Sequence, residues 1–442
     1  MISDMEKCIQ DGVSRRSFLR TLGAASAAAA AFPALAARGQ QATASITAPT
    51  PTTRRGMSDM GEMRQLPPDT VIISSNENPL GPASVALSAI GTTATMGGRY
   101  HQEESMNTVK VFSGLFDLPV AAPGKPGYVG LFPGSGGPLD LALMSNIGPD
   151  KPLVYGDPSY EQGPRAAEAM GAPKFPVKLT PTYAHDVKAM VAAHPSPGAY
   201  YIVNPNNPTG TMTPREDIVW LLANKPKGSV VIVDEAYFHF SKDESVIPLV
   251  VDNPDLIVTR TFSKIYGMAG LRAGVVIAHP ERLAAFTKVA APARSLASIS
   301  ITSAAAARAS LQDKDLVPTR RVINSDVRAE TIEFLTKQGY KIIPGSQANF
   351  FMVDTGVNQM VPGMRGGGPF QQAMIKEKVA IGRTWASLPT YVRVTVGTKD
   401  EMAKFQTAFV KCMDMKPGST TQLGASLYLP EMHGVPSELY RG

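Results

Sequence analysis

The chain has 442 residues, a hydrophobic content of 43% and a formal net charge of +6. That length is enough for two or three cores, and no segment reaches about 18 consecutive strongly apolar residues, so no membrane span is expected. The positive balance is mild and contains no Lys/Arg block, which leaves a nucleic-acid partner without support.

Residues 1–36 read as an address rather than as part of a fold. Ser14 to Gly39 is SRRSFLRTLGAASAAAAAFPALAARG. Paired Arg15 and Arg16 precede Phe18 and Leu19, then a weakly apolar Ala-rich run, then the small-residue site Ala34-Leu35-Ala36. The stretch looks like a twin-arginine export signal. It implies the twin-arginine machinery as a partner and a periplasmic or otherwise exported destination after folding in the cytoplasm. The run is too short and too weakly apolar for a stable membrane anchor. Cys8 lies inside it and Cys412 is the other cysteine, so no disulfide is expected within the mature chain. Residues 37–69 are rich in Ala, Thr, Pro and Gln without a period, and read as a disordered linker.

From Val71 onward, short apolar runs alternate with helical ones. Strands are expected at Leu153 to Tyr155, Tyr200 to Val203, Val230 to Val233, Leu256 to Val258 and Val275 to Ile277. Helices are expected at 161–170, 186–193 and 214–224, the last opened by Thr213 as N-cap and Pro214 as first helical residue. Continuous Val/Ile runs suggest strands covered on both faces, and alternation with helices suggests a mostly parallel sheet in an α/β fold. This large domain is placed at 70–310, including an N-terminal arm. A smaller α+β domain follows at 311–414. It holds a long helix near 315–337, strands at Lys341 to Ile343, Asn349 to Val353, Val379 to Ile381 and Tyr391 to Val396, and helices near 369–377 and from Lys399. Within it, the Gly-rich VPGMRGGGPF (Val361 to Phe370) reads as a solvated loop. Residues 415–442 form a tail without a clear period.

Four motifs fall at ends of expected strands, where ligands bind in open α/β sheets. PGSGGPLD from Pro133 puts glycines before an apolar helix, so backbone N–H groups can approach an anion. NPNNPTG (204–210) is a rigid turn that presents asparagine amides. VVIVDEAYFHF (230–240) ends an apolar strand in Asp234-Glu235. A nucleotide-binding reading of that strand needs a G-x-x-x-x-G-K-[ST] partner, which the chain lacks; a carboxylate held for a cation remains. TRTFSKIYGMAGLRAG (259–274) carries Thr261, Ser263, Lys264 and Arg272. Lys264 is able to act as an amine nucleophile toward carbonyls, and Thr261, Ser263 and Arg272 suit an anion such as phosphate. Taken together, an anion cradle, a strand-end acid, an amide, a phenol at Tyr237 and a lysine meet the needs of pyridoxal phosphate.

The ordered set GSGG, DPSY, NPNNPTG, VDEAY, TFSKIYGMAGLRAG and YVRVTVGT resembles the class I/II pyridoxal-phosphate aminotransferases, over roughly residues 70–413. SSNENPLGP (Ser74 to Pro82) and GGRYHQEES (Gly97 to Ser105) are similar to the histidinol-phosphate aminotransferase-like branch. The resemblance implies aminotransferase fold type I, with a mostly parallel seven-stranded sheet flanked by helices and a smaller α+β C-terminal domain. It implies pyridoxal 5'-phosphate as cofactor, loaded before export, and transfer of an amino group between an amino acid or histidinol-phosphate-like amine and a 2-oxo acid. Decarboxylases, racemases and lyases share this cofactor and fold and stand as the alternative. Residue by residue, it implies Lys264 as the Schiff-base lysine, Asp234 as partner of the pyridine nitrogen, and Asn207 and Tyr237 as hydrogen-bond partners of the phenolic oxygen. Tyr160 would stack on the ring, and Ser135, Gly136, Thr261, Ser263 and Arg272 would hold the phosphate. Tyr100 would reach the phosphate of a neighbouring subunit in a homodimer with shared sites. Arg393 would clamp the substrate carboxylate, with Asn78 and Asn349 in the pocket. The branch's usual Pro-Asp after Arg99-Tyr100 is His101-Gln102 here, and Gly137-Pro138 replaces a commonly polar or acidic pair.

Overall fold

Val- and Ile-rich runs without polar alternation form the middle of one sheet, buried on both faces. The computed structural model describes residues 66–122, 127–289, 298–361 and 367–414. The expected export signal, nearly all of the linker, the centre of the Gly-rich loop and the C-terminal tail lie outside the described residues.

In chain order the arm supplies β1 (Val71–Ile73), α1 (Ser84–Ala94) and α2 (Gln102–Gly114). Then follow β2 (Val129–Phe132), α3 (Gly136–Met144), β3 (Leu153–Asp157), α4 (Gln162–Ala169), β4 (Lys174–Lys178), α5 (Val187–Ala192) and β5 (Ala199–Val203). Next come α6 (Arg215–Asn224), β6 (Val230–Asp234), β7 (Leu256–Thr261), β8 (Gly274–Ala278), α7 (Pro280–Val289) and α8 (Ile301–Gln312). The long α9 (Leu316–Lys337) leads to β9 (Phe350–Asp354), α10 (Pro369–Lys376), β10 (Val379–Ile381), β11 (Tyr391–Thr395) and α11 (Lys399–Met413).

Seven strands form the main sheet in the order β2-β8-β7-β6-β5-β3-β4. β8 is antiparallel to both of its neighbours, while the pairs from β7 through β4 are parallel. This is the sheet of aminotransferase fold type I. Alternation along β6 divides the core: Val231 and Val233 pack on one side, Val230 and Ile232 on the other. The second, smaller core gathers Phe351, Val353, Val392, Val394, Phe405 and Phe409 around the antiparallel pair β9–β11. β1 also joins this part, pairing in parallel with β10 through Val71 and Val379. The arm therefore starts among the C-terminal elements before it reaches the main sheet's helices.

Two local expectations change. Pro214 sits at the N-cap of α6 and the helix starts at Arg215, so Thr213 is not the cap. Asn204 takes Thr213 instead, accepting its N–H at 2.8 Å and donating to its carbonyl at 3.0 Å. The stretch Lys341 to Ile343 is not a strand; Ile342 makes an isolated bridge with Val353.

The floor beneath the strand ends contains a buried ion pair. Arg260 Nε and Nη2 donate to Glu235 Oε2 at 2.8 and 2.6 Å, and Ser245 Oγ and the Val246 N–H supply the carboxylate's other bonds. Removing one charge from such a pair leaves the other uncompensated. Glu235→Gln is therefore expected to destabilise the protein by about 3 kcal/mol or more, read as a lower midpoint in urea unfolding.

Candidate active site

Asp234 stands at the carboxyl end of β6, where the strand leaves the core. It is buried, and its register partner on β7, Thr259, donates to Asp234 Oδ1 at 3.0 Å. The Ala236 N–H adds a bond at 3.2 Å, and the Tyr201 hydroxyl reaches Oδ2 at 3.4 Å. No lysine or arginine forms an ion pair with it among the described residues. Burial pushes the Asp234 carboxyl up to about 6, against these hydrogen bonds and the charge of Lys264. A carboxylate held this way is short of a cation.

Lys264 lies just past the end of β7. Its Nζ contacts the Ser75 carbonyl at 3.3 Å and lies 5.5 Å from the centre of the Tyr237 ring. Burial, then the positive charge of Arg393, push the amine down to about 8. A lysine whose charged form is disfavoured is a competent nucleophile and base near neutral pH.

The anion cradle forms where β2 and β8 meet. Gly134 has φ +84°, and a Cβ there would collide with the Arg272 guanidinium. A Cβ on Gly274 would strike the Gly134 backbone. These two glycines let the loop lie against Arg272. Ser135 is the N-cap of α3 but makes no side-chain cap bond, so its hydroxyl and the first N–H groups from Gly136 face the loop uncommitted. Arg272 Nη1 donates to Ser263 Oγ at 3.3 Å, and Ser263 Oγ also accepts from Thr261 Oγ1 at 2.9 Å. Ser135, Gly136, Thr261, Ser263 and Arg272 thus share one corner, as expected.

Tyr237 follows Asp234 on the same turn. Its hydroxyl accepts from Asn76 Nδ2 at 3.0 Å and from Asn207 Nδ2 at 3.4 Å, and its ring meets Phe350 edge-on. Asn207 Oδ1 accepts from Arg393 Nη1 at 2.7 Å, and Arg393 Nη2 donates to the Ser74 carbonyl at 2.8 Å. Arg393 Nε is buried without a partner among the described residues. Tyr160 is half-buried beside this group; burial, then Tyr237 and Asp234, push its phenol up to about 12.

Asn78 and Asn349 have structural bonds that the sequence does not reveal. Asn78 Nδ2 holds the Ile265 carbonyl at 3.0 Å, and Asn349 Nδ2 holds the carbonyls of Asn76 and Glu77, both at 3.1 Å. Both position the arm and the lysine loop. Tyr100 lies away from this cluster's buried bonds, 92% exposed in the single chain. Sequence reasoning missed Asn76, Thr259, Tyr201, Trp385 and the Arg383–Glu161 pair. Asn76 lies inside the quoted SSNENPLGP and was within reach; Thr259 becomes visible only through strand register.

The fold and the site define an enzyme that binds pyridoxal phosphate. A buried acid without a cation, a lysine with lowered proton affinity and an open anion cradle fit that cofactor's ring nitrogen, aldehyde and phosphate. The chain belongs to the family described as aminotransferase class I and II, whose pattern matches residues 61–409. It is 32% identical over 340 residues to histidinol-phosphate aminotransferase 1 of Nitrosococcus oceani, covering 76% of this chain and 86% of that one. It is 34% identical over 296 residues to the aromatic amino acid aminotransferase of Cutibacterium acnes, covering 65% and 80%. The solved histidinol-phosphate aminotransferase of Sinorhizobium meliloti, in complex with pyridoxal-5'-phosphate, shares the fold at a TM-score of 0.68 and 22% identity, covering 84% of this chain and 98% of that one. The protein is a pyridoxal-phosphate-dependent aminotransferase.

The lysine's ionisation has a consequence for stability. Its folded value of about 8 lies below the ordinary 10.5, so the folded chain binds fewer protons than the unfolded chain between those limits. The buried charge burdens the fold below about pH 8, and the burden lifts as pH rises toward 10.5. Cofactor-free Lys264→Met is expected to be more stable than the parent at pH 7. The margin should close between pH 8 and 10.5 in urea titrations; a margin independent of pH would contradict the assignment.

Proposed function

We propose that this aminotransferase works through Lys264, Asp234, Tyr237 and Arg393 in a site completed by two copies of the chain. The observation that carries the reading is Asp234, buried without a cation among the described residues, at the same sheet edge as Lys264, whose proton affinity burial lowers. Bound pyridoxal phosphate supplies an aldehyde for amines and a protonated ring that withdraws electrons.

The chain's own residues supply binding and proton handling. Asp234 would serve as counterion to the cofactor's ring nitrogen and keep a proton on it. Asn207 and the Tyr237 hydroxyl serve the ring's phenolic oxygen, and Asn76 fixes that hydroxyl from behind. Tyr160 covers the ring face. Ser135, Gly136, Thr261, Ser263 and Arg272 hold the phosphate with charge-assisted bonds and backbone N–H groups. Arg393 takes the substrate carboxylate; Asn207 and Ser74 already hold its two Nη groups, leaving Nε unsatisfied. Lys264 Nζ would take the proton from the substrate Cα and deliver it to the cofactor's aldehyde-derived carbon, across the shared nitrogen, so no other base is needed. The amino donors and 2-oxo acids are of the size handled by relatives named for histidinol phosphate and for aromatic amino acids.

The homodimer rests on surface chemistry. Leu80, Leu87, Met96, Tyr100 and Met106 are exposed along the arm, α1 and α2, an apolar strip of the kind that subunits cover. Tyr100 on that strip would reach the phosphate of the neighbouring subunit. Export rests on Arg15-Arg16 and the Ala-rich run after them, with the cofactor loaded before transport.

Following the bound cofactor's absorbance across a panel of amines tests the assignment. The parent should show amine-dependent conversion, and Lys264→Ala should lose turnover by roughly 10⁴-fold. Retained turnover in that variant would refute the role of Lys264. For export, replacing Arg15 and Arg16 by lysine should leave the protein in the cytoplasmic fraction of fractionated cells.

A further inference from the structure

Arg383 and Arg393 are neighbours in backbone and in side chain. The Arg393 N–H donates to the Arg383 carbonyl at 3.2 Å. Their guanidinium carbons lie 4.7 and 5.3 Å from the ring centre of Trp385, so two cations share one indole. Trp385 is itself fixed, 5% exposed, with its indole N–H on the Ser159 carbonyl at 3.1 Å.

The two arginines differ in their acceptors. Arg393 has the neutral Asn207 amide and the Ser74 carbonyl, and no carboxylate pairs with it among the described residues. Arg383 Nη2 is ion-paired with Glu161 Oε2. Glu161 is at the N-cap of α4, next to Tyr160, and its side chain makes no cap bond there. It is therefore free to reach across to the smaller part of the molecule. Its side chain is 29% exposed and that of Arg383 37%, which places the pair where an entering ligand meets it.

We infer that Glu161 is a specificity-determining residue, which neutralises Arg383 so that the site takes amino acids and 2-oxo acids whose side chains carry no negative charge. This rests on the assignment of Arg393 to the substrate carboxylate. Every amino acid brings one carboxylate, and one free arginine answers it. A side chain ending in carboxylate or phosphate needs a second cation. Lys264 and Arg272 are committed to the reactive end and to the anion cradle, so Arg383 is the remaining candidate. An incoming anion must displace Glu161, which is tethered in place and competes as an intramolecular partner. The displaced carboxylate then stands beside the newcomer as a like charge. A neutral side chain displaces nothing and leaves the Arg383–Glu161 pair intact.

The test uses the cofactor-loaded full chain as parent, Glu161→Gln and Glu161→Asp. Half-reaction rates are measured with phenylalanine and leucine against aspartate and glutamate. Binding of the unreactive dicarboxylate glutarate is measured by calorimetry. The parent should prefer the neutral donors. Glu161→Gln should raise the acidic-to-neutral ratio of kcat/KM by roughly tenfold, the worth of one charge-assisted hydrogen bond, chiefly through KM. It should tighten glutarate binding by a similar factor, whereas Glu161→Asp should stay near the parent. A parent that prefers acidic donors, or a ratio and a glutarate affinity unmoved in Glu161→Gln, would overturn the inference. A panel in which no amine reacts would count against the proposed reaction instead, and glutarate binding would still decide the role of Glu161.

Discussion

Asp234 is buried and meets Thr259, Tyr201 and the Ala236 amide, but no cation among the described residues. That imbalance organises the positive groups around it. Arg393 and Lys264 stand nearby without carboxylate ion pairs among the described residues, and burial lowers the proton affinity of each. Asp234, Lys264 and Arg393 are kept apart by neutral hydroxyls, amides and carbonyls, instead of forming salt bridges with one another. The adjacent Glu235 shows the other outcome: one residue further along, a carboxylate finds Arg260 and is fully satisfied. Two neighbouring acids on one strand end thus have opposite fates, one structural and one held in reserve for a ligand.

Much of this was legible in the sequence because it depends on local chemistry. The Val/Ile runs of β5 to β8 are buried on both sides, so their composition alone marks them. β4 reads KFPVK, an edge strand with charged ends and a proline, and it carries no such mark. The four motifs around Lys264, Asp234, Asn207 and Gly136 each sit where a strand ends, and the parallel sheet brings those ends to one edge.

What stayed hidden depends on contacts between distant segments. Thr259 faces Asp234 only because β6 and β7 pair in that register. The bond from Glu161 to Arg383 spans 222 positions, and nothing near either residue announces it. Asn349, expected in the pocket, also ties down the arm's backbone through two carbonyls.

The arm has a bearing on the order of events during synthesis. Asn76, which orients the Tyr237 hydroxyl, is held by Thr395, 319 positions later, and β1 pairs with β10 near the end of the fold. β1 and Asn76 must wait for residues about 300 positions later before they find their place. The main sheet is able to assemble earlier, but the wall that carries Asn76, Ser74 and Arg393 closes only after β11 has been made. The cavity for the cofactor is therefore among the last parts of the described fold to form, and occupancy of it would report that β10 and β11 have been made and folded.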